Sequence, residues 1–117
     1  MAKIFSPPDT IKIPELSFED IKDYEKACKE YVEDLKQWCI RRAENGGADT
    51  QYIGEVIRFP VADGYAEYMV AAFKPIQLIH IPLWDAWEFD YANRLTKKDI
   101  IDKINQQNSL KKLFGGE

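Results

Sequence analysis

A single histidine, two cysteines and no apolar run near twenty residues mark what this chain of 117 residues does without. One histidine excludes every metal centre built from several imidazoles and leaves His80 as the only side chain whose ordinary pKa lies near neutrality. Cys28 and Cys39 are eleven positions apart, which on a helix means about 16 Å along the same face, so they cannot bridge each other. Two free thiols point to a reducing compartment, and without a basic start followed by an apolar run the reading is cytoplasmic. The lack of a twenty-residue apolar stretch excludes a membrane-spanning helix. There is also no glycine-rich phosphate loop, zinc-type cysteine pairing, nucleophile elbow or calcium loop.

What is present suits one packed domain, residues 1–117, with 45% hydrophobic and 31% charged residues. A chain of this size buries roughly two thirds of its unfolded surface, so its stability calls for no metal or cofactor, and none is expected. The net charge is −4, which offers no broad attraction to nucleic acid or anionic lipid. It is unevenly spread: from Arg94 onward six cations face three acids, giving that end +3 and leaving −7 for the rest.

Pro7, Pro8 and Pro14 make residues 1–16 an extended arm, in which the alternating "TIKIP" adds one edge strand. Ser17, Asp20, Leu16 and Ile21 spell a helix start with a hydrophobic staple. Ile21, Tyr24, Cys28, Tyr31, Leu35 and Trp38 then recur at helical spacing, widened by Val32 and Cys39, until Gly46 and Gly47 stop the helix. Some 28 residues make about 40 Å, longer than the roughly 35 Å expected across such a domain, so part of this helix overhangs. "EVIRFPVADGYAEYMVAAF" reads as a hairpin turning at Asp63-Gly64, with Pro60 at an edge or bulge. "IQLIHI" makes a third strand and "AWEF" a shorter fourth. Thr96 with Asp99, Leu95 and Ile100 starts a second helix that runs to about Gln107. Residues 108–117 suit helix, packed extension or free tail equally. The fold class is therefore α+β: a long helix, an antiparallel meander of three or four strands, and a short closing helix.

This order resembles that of double-stranded-RNA-binding domains, which read RNA by shape and phosphate contacts. The longer first helix, the acidic balance and loop motifs that do not align place the chain outside that family.

The functional reading is an accessory or inhibitor-type protein, of a size suited to phage or bacteria, that acts by binding another protein and not by catalysis. Trp84, Asp85, Trp87, Glu88 and Tyr91 form the candidate surface, since tryptophan and tyrosine among carboxylates are typical interface anchors. The long helical stripe offers a homodimer as a further partner. The alternative is nucleic-acid binding through Arg94, Lys97, Lys98, Lys111 and Lys112. His80 with Asp85 would be the pair for proton transfer, but an imidazole alternating with Ile76 and Leu78 suits a half-buried sheet position better, and buried thiols behave as small hydrophobes.

Overall fold

The computed structural model describes residues 3–5, 7–14, 21–61, 64–81, 92 and 94–113. Its elements in chain order are β1 (Lys3–Phe5), α1 (Ile21–Asn45), β2 (Val56–Val61), β3 (Gly64–Ala72), β4 (Gln77–Ile81) and α2 (Lys97–Leu113), an α+β fold. No described helix is long and apolar enough to cross a membrane.

α1 buries Tyr24, Cys28, Tyr31, Leu35, Cys39 and Ala43. Steps of four outnumber steps of three in this series, so the buried line drifts and its end falls on Cys39 and Ala43, with Trp38 only partly buried at the margin. Ile21 is 58% exposed, against its expected place in the stripe. The described helix is 25 residues, about 37 Å, within a molecule 42 Å along its longest axis. From Tyr31 to Ala43 its apolar face belongs to the protein's own core, and only the first described turn carries an exposed large apolar side chain. Gly47, at φ 71°, ends the helix in a Schellman arrangement: the Ala48 N–H donates to the Ala43 carbonyl at 2.9 Å and the Gly47 N–H to Glu44 at 3.0 Å. The next loop turns at Gly54, at φ 87°, where an added Cβ would lie 2.8 Å from Lys36 Cγ. The cap and staple proposed around Ser17 lie outside the described residues.

The sheet order is β1-β4-β3-β2. β2 and β3 pair antiparallel with Val61 opposite Gly64, so residues 62 and 63 connect the strands, one position earlier than the Asp63-Gly64 turn expected from sequence. β3 and β4 continue the meander. The fourth strand comes from the N-terminal arm, but as Lys3–Phe5 and not "TIKIP", and it runs parallel to β4, making the sheet mixed. Residues 10–14 form no strand; the chain turns there, with the Ile11 N–H donating to the Pro8 carbonyl. The "AWEF" strand falls outside the described residues.

Pairing register sorts the side chains by face. Val56, Arg58 and Pro60 share a face with Tyr65, Glu67, Met69, Ile79 and Ile81, and the 3.8 Å contact of Cys39 Sγ with Met69 Sδ puts α1 over it. Ile57, Phe59, Ala66, Tyr68, Val70, Leu78 and His80 share the other, and Lys103 Nζ, 5.2 Å from the Phe59 ring, places α2 on that side. One core of buried residues runs through both layers.

α2 begins as its sequence requires. The Thr96 N–H donates to Asp99 Oδ2 at 3.0 Å and the Asp99 N–H to Thr96 Oγ1 at 3.2 Å, a reciprocal capping box, with Leu95 and Ile100 both buried beside it. The hydrogen bond from the Thr96 backbone, then that of its side chain, holds Asp99 below the ordinary carboxylate range. Thr96→Ala is expected to destabilise the protein by about 1 kcal/mol and to move the Asp99 pKa back up, read by NMR titration of its carboxyl carbon. The helix does not stop near Gln107 but continues to Leu113, so residues 108–113 are helical. Apolar periodicity ends at Ile104, the last buried residue; lysine, glutamine and leucine carry the helix onward by intrinsic preference.

Candidate functional site

α1 stands over β3, which leaves the upper face of β2 open between α1 and the far half of α2. The result is one groove in two halves. The first, about 420 Å³, is lined by Tyr24, Cys28, Lys29 and Val32 of α1 with Val56, Arg58 and Glu67. The second, about 700 Å³, is lined by the same three sheet residues with Pro60 and Tyr65, and by Lys103, Gln106, Gln107, Leu110 and Lys111 of α2.

Where the halves meet, Arg58 lies opposite Glu67 in the hairpin register, and its Nε donates to Glu67 Oε2 at 2.5 Å. The same guanidinium lies 5.9 Å from the Tyr65 ring, the diagonal neighbour on that face. Glu67 is the one buried charged residue among the described residues, at 6% exposure, while the Arg58 side chain is 61% exposed. The carboxylate therefore holds the guanidinium by its Nε and compensates its charge, while the exposed arginine side chain still reaches into the groove.

The outer edge of β2 is closed to strand pairing. With the Gln107 amide oriented to satisfy both groups, its nitrogen donates to the Val56 carbonyl at 3.2 Å and its oxygen accepts the Arg58 N–H at 2.9 Å. Two residues on, Pro60 has no N–H to offer on the same side. A ligand in this groove must therefore bind through side chains and not by extending the sheet.

The residues singled out from sequence fare differently. Trp84, Asp85, Trp87, Glu88 and Tyr91 lie outside the described residues. Arg94, Lys97, Lys98, Lys111 and Lys112 are all exposed, but they gather at opposite ends of α2, about 20 Å apart. Lys97 Nζ sits 5.1 Å from the Phe73 ring, Lys98 pairs with Asp102 at 3.6 Å, and Lys111 belongs to the groove. Together they make two small groups and not one stripe. His80 is half-buried on β4 with its ring centroid 5.2 Å from that of Tyr68. No group of three or more potential metal-binding side chains occurs among the described residues. Both cysteines are free and buried, and burial pushes the Cys39 thiol up to about 11, against a smaller opposing effect of Arg42.

Sequence reasoning missed the groove because its parts are far apart in the chain. One signal was available: Arg58 and Glu67 are the charged pair that the correct hairpin register brings face to face. No protein-family model, curated protein or solved structure matches the chain.

Proposed function

We propose that the protein is a non-catalytic accessory or inhibitor-type module that binds another protein through the groove over β2 and the projecting end of α2. The observation that carries this reading is the end of that helix. It runs nine residues beyond Ile104, its last buried residue, and presents Leu110 and Leu113 at 46% and 75% exposure. Three positions apart, they lie on one helical face. Single exposed leucines are ordinary on a protein surface, but Leu110 shares its groove with Pro60 and with Tyr65, itself 56% exposed. Arg58, Lys103 and Lys111 border these apolar atoms. The complementary partner segment carries apolar anchors interspersed with carboxylates, and it docks by side chains because the β2 edge is occupied.

The double variant Leu110→Asp, Leu113→Asp tests this directly. Since both side chains already face water, stability should stay within about 0.5 kcal/mol of the parent. Recovery of the bound protein by affinity capture should fall at least tenfold, because two buried carboxylates facing apolar anchors are costly. Undiminished recovery of the same protein would remove this surface from the function.

A further inference from the structure

On the side of the molecule where α1 ends and α2 begins lies a second cavity, of about 430 Å³. Three cations from three separate elements line it: Arg42 in the last turns of α1, Lys74 in the turn between β3 and β4, and Lys97 at the first position of α2. Its floor is apolar, made by Ala43, Ile53, Ala71 and Phe73. Asp49 is the only carboxylate in the described lining, and its Oδ1 already accepts the Gln51 N–H at 3.0 Å.

Two features shape the electrostatics there. The carbonyls at the end of α1, which would repel an anion, are occupied: Arg42, Glu44 and Ala43 accept from Gly46, Gly47 and Ala48 respectively. Lys97 is held by the Phe73 ring, at 5.1 Å, a contact that positions the ammonium without neutralising it. Among the described residues neither Lys74 nor Lys97 has a carboxylate within ion-pair distance. The dipole of α2 adds nothing to the case, because Asp99 answers it. Arg42 lies over the Trp38 ring at 5.3 Å, so Lys74 and Lys97 are the two cations of the lining that an entering anion would pair.

We infer that this cavity binds a small organic dianion with a planar apolar body, of the aryl phosphate type. Its charged head meets Lys74 and Lys97, and its body lies on the floor beside Phe73. The volume falls in the range of small-molecule sites, and an apolar floor with few convergent polar groups is their usual construction. This site is separate from the groove over β2 and stands or falls without it.

The test is a titration of isotope-labelled protein with 1-naphthyl phosphate followed by amide NMR, with inorganic phosphate and neutral 1-naphthol as comparators. Saturable shifts are expected at Gly46, Asp49, Lys74 and Lys97, with neither comparator binding as tightly. Lys74→Gln and Lys97→Gln should each weaken binding about tenfold, the usual loss for one charge-assisted hydrogen bond. Lys98→Gln, which removes a cation paired with Asp102 outside the cavity, should leave it unchanged. If Lys74→Gln disturbs the fold, Lys74→Gly suits the φ of 125° at that position. Absence of saturable shifts, equal affinity for inorganic phosphate or 1-naphthol, or equal weakening by Lys98→Gln would overturn the assignment.

Discussion

Leu35→Ala should lower the unfolding free energy by about 3 kcal/mol, the middle of the range for deleting a buried leucine side chain. Leu35 has no exposed surface, sits at the centre of the buried face of α1, and belongs to the same core as Met69 and Ile79. The size of the effect distinguishes two roles for the helical stripe. Were it an interface between copies, the loss would shrink or grow with protein concentration, because association contributes to apparent stability by mass action. Packed on its own sheet, it gives the same loss at any concentration. Urea unfolding at two concentrations at least tenfold apart reads the difference, with the midpoint lowered equally in both and the slope unchanged. A concentration-dependent loss would return the stripe to self-association.

The second large effect is a loss of stability in alkali. Burial, and to a lesser degree the neighbouring Cys39, pushes the Tyr31 hydroxyl from an ordinary 10.0 up to about 12. Cys39 rises from 9.0 to about 11, again chiefly by burial. Both folded-state values lie above the unfolded ones, so the folded protein holds its protons longer. The associated stability is fully present below about pH 9 and is lost as pH climbs toward 12. Each group accounts for roughly 2 to 3 kcal/mol of that loss. The Tyr31 hydroxyl has no hydrogen-bond partner among the described residues, and its burial is therefore costly even at neutral pH. Tyr31→Phe should be neutral or slightly stabilising near pH 7, and it should remove about half of the alkaline loss. Unfolding curves for both proteins at several values between about pH 8 and 11.5 measure this. Parallel pH profiles would show that Tyr31 does not ionise on unfolding in that range.

Local grammar in the sequence marks out much of this fold. Gly46-Gly47 ends α1 and Thr96 with Asp99 starts α2, because a cap depends on residues within one turn. Pro60 at a sheet edge follows equally from its missing N–H. What escaped depends on distant partners or on gradual drift. A three-residue strand at Lys3–Phe5 has too little pattern to announce itself, and it exists because β4 has a free parallel edge. Trp38 and Cys39 exchange places because a stripe advancing mostly by fours shifts sideways over 25 residues. α2 extends past its last apolar repeat unseen in the pattern, because periodicity reports burial, and these last turns are helical without being buried.

The hairpin register shows how the site itself could be read. A turn centred on Asp63 and Gly64 would set Arg58 across from Met69, whereas the observed pairing of Val61 with Gly64 sets it across from Glu67. Matching the two charges selects the latter. The approach of α2 to the edge of β2 is different in kind. Nothing near Gln107 in the sequence reveals that its side chain will bond the backbone at Val56 and Arg58, fifty residues earlier. The groove's second wall follows from that contact.

Site-specific photo-crosslinking in cells that naturally contain the protein tests the docking surface most directly. A photoreactive residue placed at Leu113, Leu110 or Tyr65 should join the chain to one and the same other protein, while the same group at Glu30, on the exposed side of α1, should not. Crosslinks at Leu113, Leu110 and Tyr65 that are absent, that join only a second copy of this chain, or that are matched at Glu30 would contradict the account.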